Sequence, residues 1–315
     1  MNLKGYITAL LFTGIGCFAQ TDSLNNAYIQ KYPEKISAQV FLLNTSNRFS
    51  IDYAQENLRV DLVPNQKTTL NVGVQYDIVS FSFGTAPKFF ANNKDNKDSK
   101  MTAFSVTIFP GRWMQHFDYY HQKGITLESG GVQLVYFPEL KSTKIGGSTS
   151  YVFNKNFSFS ALSFRNERQL KSAGSFAPSL SYYYTELNGK KVEELGDKAY
   201  FIDVALAPAY NYNWVIAKKF LVAAGVSLGA GFTKTVDDDN NSTTLLTQAS
   251  LSISLGYNSD TFYGGVYSKG VASNHKAGSN AAMDDTISYA TAFFGYRFDA
   301  PSFVKQEKDK IKGKL

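Results

Sequence analysis

Few residues of this 315-residue chain have types and spacings that suggest chemistry. His116 and His121 stand five apart, out of phase for a strand, so they point to opposite faces, and His275 lies far from both. A zinc site needs further ligands brought from elsewhere, so no metal site and no cofactor are predicted. His116 and Asp118 share a strand face and serines are abundant, which leaves a Ser-His-Asp hydrolase geometrically open. Those serines fall mainly where a lumen would be lined, no nucleophile elbow is expected, and no catalytic residue is assigned. Asp237-Asp238-Asp239-Asn240-Asn241 lacks the alternate spacing and closing glutamate of a calcium loop and reads as a solvated loop. The densest polar cluster beside a strand is Glu167-Arg168-Gln169 with Lys171. An arginine fork there could hold an anionic head group, which makes these four the candidate ligand-binding residues. The same four could instead cap a loop or brace a plug by ion pairing.

The elements that would position them are strands. Between Phe220 and Phe232, one face carries Phe220, Val222, Ala224, Val226, Leu228, Ala230 and Phe232, and the other carries Leu221, Ala223, Gly225, Ser227, Gly229 and Gly231. Leu245 to Tyr257 and Ile202 to Tyr212 alternate in the same way. Such runs outlast the five or six residues usual for soluble strands and match the roughly 9–11 that a tilted membrane strand needs. Their second face is small and polar, as a crowded lumen requires. Aromatics gather at Tyr182-Tyr183-Tyr184, Tyr210 to Trp214 and Phe293 to Phe298, where a girdle would meet lipid head groups. A secreted β-sandwich also alternates, but strand length and the small polar faces favour the barrel. Thirteen segments can be marked, among them Phe157–Phe164, with Leu58–Val63 as a weaker candidate. Bacterial barrels have even counts, so about twelve strands are predicted, with fourteen as the alternative. Long polar loops are expected at Pro87–Lys100, Gln122–Lys141, Arg165–Gly174, Asn188–Lys198, Val236–Ser242 and Val271–Asp285, opposite the end with short turns.

Composition agrees with export. Lys4, an apolar stretch from Tyr6 to Ile15 and Cys17-Phe18-Ala19 form a secretory signal, predicted over residues 1–19. Cys17 is the only cysteine, so the mature chain has no disulfide, cysteine metal site or cysteine nucleophile; a lipoprotein reading through Cys17 lacks the upstream leucine. Mean hydropathy is −0.22, as expected when half of each strand faces a polar interior. The net charge of +6 is dispersed apart from the tail, where Lys305, Lys308, Lys310, Lys312 and Lys314 crowd together. That tail reads as a solvated end that could touch anionic lipid or peptidoglycan. Export and the lack of a groove-reading motif disfavour nucleic acid as a partner.

Several stretches resemble a known family. Tyr28-Ile29-Gln30-Lys31-Tyr32-Pro33-Glu34-Lys35, Leu70-Asn71-Val72-Gly73-Val74-Gln75-Tyr76, Tyr151-Val152-Phe153-Asn154, Asn166-Glu167-Arg168-Gln169-Leu170-Lys171-Ser172-Ala173-Gly174-Ser175-Phe176 and Gly295-Tyr296-Arg297-Phe298 are similar to motifs of domain of unknown function 4421 (DUF4421), an uncharacterised family of Bacteroidota. The resemblance spans about Tyr28 to Phe303 and implies an outer-membrane barrel in a Gram-negative bacterium. It implies no activity and no catalytic residue.

The chain is therefore expected to be all-β: a signal (1–19), an N-terminal periplasmic segment (20–35), a transmembrane antiparallel barrel (36–298) and a basic periplasmic tail (299–315). Its expected partners are outer-membrane lipid and the barrel-insertion machinery. The expected role is non-enzymatic, a narrow or plugged pore or a binder of an envelope ligand. The alternatives are an outer-membrane lipid hydrolase, or a scaffold acting through its loops or tail.

Overall fold

A computed structural model describes residues 27–53, 58–64, 67–90, 93, 99–129, 132–163, 166–192, 198–236, 241–277 and 281–312. The predicted signal, Asp237 to Asn240 and most of Asn92–Lys100 lie outside them. The strands are β1 (Ile29–Lys31), β2 (Lys35–Tyr53), β3 (Leu58–Pro64), β4 (Lys67–Tyr76), β5 (Val79–Thr85), β6 (Lys100–Ile108), β7 (Trp113–Ser129), β8 (Val132–Tyr151), β9 (Glu167–Gln169), β10 (Ala173–Phe176), β11 (Ser179–Asn188), β12 (Lys198–Ala207), β13 (Ala209–Ile216), β14 (Phe220–Val236), β15 (Asn241–Asn258), β16 (Phe262–Ala277) and β17 (Ala281–Asp299). One helix, α1 (Ser302–Lys312), follows.

Two proline breaks hide the true strand count. β10 and β11 meet at Ala177-Pro178 and keep one register against β12 and β13, which themselves meet at Pro208. Proline has no N–H to give to the ladder, so it removes a bond without moving the register. Each broken pair is one strand of the wall. The sheet then closes as β17 pairs with β2 along its whole length, giving a ring of twelve antiparallel strands.

The two faces sort as the alternation predicts. Val226, Leu228, Phe232, Leu251, Ile253 and Leu255 stand exposed on the outside, Leu228 at 73%, while Leu221, Ala223, Leu246 and Ser254 are buried inside. Aromatic contacts line the rim that carries the short turns: Trp113 with Tyr151 (4.8 Å), Tyr151 with Phe153 (5.1 Å), Phe220 with Tyr257 (5.4 Å) and Phe262 with Tyr296 (5.0 Å). An apolar outer band with an aromatic edge is what lipid contact demands, and the fold is a transmembrane barrel. This rim, where the described part of the chain begins and ends, is here the lower one.

Four sequence expectations need correction. Phe157–Phe164 is no strand: residues 157–163 turn into the barrel, with a 3-10 turn at Ser160–Ser163. Gln122–Lys141 is no loop, because β7 and β8 run on as a hairpin arm to Ser129 and from Val132. A bulge in β7 sits at Gly124, whose φ of 90° suits a residue without Cβ. In Val271–Asp285, β16 and β17 continue to Ala277 and from Ala281. Arg165–Gly174 belongs to the lower end, not to the opposite, long-loop end. The weaker candidate Leu58–Val63 is a strand: β3 pairs with β2 and with β7, bridging them above the short β4, β5 and β6.

Candidate functional site: the lower plug and the polar lumen

Between β8 and β10 the chain does not take the short way along the rim. The described residues 157–163 and 166–169 fold back into the lower end of the lumen. Val152, Phe157 and Ala173 form a small core with Tyr28, Phe159 and Leu162. Leu162 also packs against the inward cluster of Phe41, Leu221, Ala223, Tyr263 and Phe293. The wall grips the inserted backbone directly: Ser254 Oγ donates to Leu162 O (3.2 Å) and Asn213 Nδ2 to Ser158 O (3.0 Å). Ser37 Oγ lies 2.6 Å from Asn166 Oδ1. Separately from the ladder of the ring, β1 and β9 pair as a two-stranded ribbon.

All four sequence-predicted residues lie on this plug or just past its end. Gln169 is buried, and its amide nitrogen donates to Asn156 O (2.6 Å) and Lys171 O (3.0 Å). Its oxygen accepts from the Ser158 N–H and Asn213 Nδ2, each at 3.1 Å. Glu167 accepts the Ser158 hydroxyl and lies 3.8 Å from Lys31 Nζ. Arg168 donates to Gln30 Oε1 (2.7 Å) and pairs with Asp260 at 3.1 Å. Lys171 sits over the Tyr28 ring at 5.4 Å.

Sequence reasoning missed Arg297. It is 1% exposed, and its guanidinium lies between the rings of Tyr32 (4.6 Å) and Tyr263 (4.5 Å). It donates to Asn258 Oδ1 (2.8 Å) and to Ser259 O, tying the β15–β16 turn to the leading segment. The available signal was an arginine in lumen phase between outward aromatics, Tyr296 and Phe298. Close by, Tyr32 OH donates to Asp260 Oδ1 at 2.7 Å. That bond, helped by the charge of Arg168, holds the Asp260 carboxyl below the usual carboxylate range. Burial, then the same bond, pushes the Tyr32 phenol up. Below the rim, Lys305 and Lys308 of α1 converge on Glu34 and hold its carboxyl low.

Above the plug the lumen is polar. His116 Nε2 lies 2.9 Å from Asp118 Oδ1, and His116 Nδ1 lies 2.7 Å from Thr107 Oγ1. Tyr183 OH donates to Asp118 Oδ2 at 3.2 Å. With Nε2–H given to the carboxylate, a neutral His116 accepts the Thr107 hydroxyl proton at Nδ1. This relay faces the lumen. His121 points outward and meets Thr143 at 2.9 Å, so the two histidines do take opposite faces. The string Gly225-Val226-Ser227-Leu228-Gly229 matches Gly-x-Ser-x-Gly in letters, but it lies within β14 with Ser227 Oγ bonded to Ser250 Oγ (2.6 Å). A nucleophile elbow needs a strand-to-helix turn. Higher still, Asp203, Thr233, His275 and Asp285 face one another across the upper lumen.

The profile of one protein family matches residues 20–298, which takes in the leading segment, the plug and all twelve strands. The chain belongs to DUF4421, a domain of unknown function. No functionally curated protein is similar to this DUF4421 chain. Among solved structures it is similar to an outer-membrane channel from Pseudomonas putida F1 (8% identity, TM-score 0.38, covering 89% of this chain and 100% of that one). It is similar also to OmpT, an outer-membrane protein of Vibrio cholerae (10% identity, TM-score 0.33, 84% and 96%). The translocator domain of the autotransporter NalP from Neisseria meningitidis is a third (8% identity, TM-score 0.34, 94% and 95%). Likenesses this faint carry no functional argument.

Proposed function

We propose that this DUF4421 protein is a non-enzymatic barrel of the outer membrane, closed at its periplasmic end by a built-in plug, which holds an envelope ligand in the lumen above. One observation carries the reading: residues 157–163 and 166–169 pack within the lower end of the barrel and are hydrogen-bonded to the wall on several sides. On this reading Glu167, Arg168 and Gln169 brace the plug, since the Glu167 carboxylate, the Arg168 terminal nitrogens and the Gln169 amide all end on neighbouring chain, while Lys171 lies exposed over the Tyr28 ring. The short-turn rim faces the periplasm, as trimmed turns do in bacterial barrels, and α1 docks there on Glu34. The predicted signal and the insertion machinery would bring the chain to that membrane.

Planar-bilayer recording tests this. The intact protein, first shown to be folded by heat-modifiable gel mobility, is expected to give no sustained conductance. Steady single-channel steps from the unmodified chain would overturn the plug.

A second reading, a hydrolase, is favoured by the Thr107–His116–Asp118 relay. Because the relay faces inward, such an enzyme would act on a solute in the lumen and not on lipid at the barrel wall. Labelling of Thr107 by an activated phosphonate, lost in His116→Ala, would support it.

A further inference from the structure

The upper lumen holds acceptors with nothing to accept from. Asp285 on β17 is 9% exposed, and its Oδ1 has no hydrogen-bond partner among the described residues. Buried charged oxygens are almost always bonded, so this exception calls for an explanation. Its cross-strand partner on β16 is Ser273, which puts His275, two residues further along, diagonally beside it on the same face. Thr233 Oγ1 of β14 lies 2.6 Å from Asp203 Oδ1 of β12 and 2.7 Å from His275 Nδ1 of β16. A hydroxyl has one proton and an ionised carboxylate can only accept, so Thr233 donates to Asp203 and accepts from the Nδ1–H of His275. The Nε2 of a neutral His275 is thereby left as a bare acceptor.

The charges facing Asp285 in the lumen are Asp203 and Lys144, while Asp284, its neighbour in the strand, points to the opposite face of the wall. Lys144, from β8, has its ammonium over the Tyr183 ring at 4.8 Å. Asp284 takes the Asn274 amide at 2.6 Å. Carboxylates outnumber the one cation, and the groups left over are acceptors. Asp203 and Lys144 are only half-buried, so the space is not sealed. A bare metal ion fits less well: among the described residues no three His, Asp or Glu side chains converge as a metal site. What the set lacks is a positively charged donor with several N–H bonds.

We propose that the upper lumen binds a small primary-ammonium ion, with the Asp285 carboxylate as its ion partner and His275 Nε2 as a second acceptor. This deepens the ligand-chamber reading above and rests on it. The test is calorimetric titration of the intact protein in nanodiscs with methylammonium and, in parallel, with tetramethylammonium, which has the charge but no N–H. Methylammonium is expected to bind and tetramethylammonium not. Asp285→Asn is expected to weaken binding at least tenfold while keeping wild-type heat-modifiable mobility. Nitrogen NMR of His275 gives a readout independent of that variant, since its Nε2 resonance is expected to shift on methylammonium addition. Equal binding of both cations, an unmoved Nε2 resonance, or no binding by a folded protein would each overturn the proposal. The plug is tested separately by conductance: a conducting barrel that still binds methylammonium would sink the plug alone, and a closed barrel that binds nothing would sink this proposal alone.

Discussion

The lower and upper halves of the lumen use their polar residues to opposite ends. In the lower half, Gln169, Asn213 and Arg297 spend much of their hydrogen-bonding capacity on backbone carbonyls of inserted chain or turns. In the upper half, Asp203, Thr233 and His275 bond one another, and Asp285 keeps an oxygen free among the described residues. Side chains that end on backbone fix a path for the chain. Side chains that end on other side chains leave the backbone as it was and can exchange partners. The lower lumen is thus architecture, and the upper lumen has capacity to spare.

The strongest way to break this contrast is to excise the plug. Replacing residues 153–171 by a short Gly-Ser turn should leave a barrel that still shifts mobility on heating but now gives stable conductance steps in a planar bilayer. A closed excised barrel would mean that wall side chains, not the plug, fill the lower lumen. Next in size is Arg297→Ala, which strips a buried cation from between two rings and leaves Asn258 Oδ1 and Ser259 O short of a donor. It should destabilise the barrel by about 3 kcal/mol, read as a lower temperature for the gel-mobility transition or a lower urea midpoint. Thr233→Val in the upper tier removes a neutral hydroxyl between half-buried Asp203 and buried His275 and strands no buried cation, so the loss should be near 1 kcal/mol by the same measurement. If the two variants lose equally, the contrast between halves fails.

The smallest effect is acid loosening of the rim. The Asp260 carboxyl is held low by Tyr32, then by Arg168. A depressed folded value means its contribution is complete above the ordinary carboxylate range and drains away as pH falls through the depressed value. Below about pH 4, brief channel openings should become more frequent. Asp260→Asn should show the same openings at neutral pH, without a further rise on acidification.

The barrel was legible because lipid imposes a rule that sequence records. Every outward position of β14 and β15 between Leu245 and Tyr257, or Phe220 and Phe232, must suit hydrocarbon, and period two follows. The rule stops where lipid stops. Gln122 to Ser129 and Val132 to Lys141 extend past the apolar belt, so they keep their strand ladder without the alternation that marks a membrane strand. Phe157 to Phe164 failed the other way. Phe157 and Phe159 alternate with serines as a wall strand would, yet they pack against Tyr28 and Leu162 inside the end of the barrel. Alternation reports two environments, not whether a neighbouring strand is there to pair with. The Glu167 cluster was visible as a dense polar patch, but its partners Ser158, Gln30 and Asp260 come from segments far apart in the chain. Asp285 and Asp203 give no signal, being acids on separate strands that only closure of the ring brings together.

The bridge made by β3 has a mechanical consequence. β5 has 7 residues and β6 has 9, against 20 in β8 and 19 in β17. At about 3.3 Å per residue, β5 runs roughly 23 Å before any tilt, short of a hydrocarbon layer of about 30 Å. On that flank the wall is built in two stages, β4 to β6 below and β3 above them, while across the barrel single strands run the full height. Acyl chains either stop at the seam between the stages or cover both, and in each case meet a different surface from the one across the barrel. Either way the molecule has a preferred direction in the plane of the sheet of lipid around it, and its neighbours will feel which way it faces.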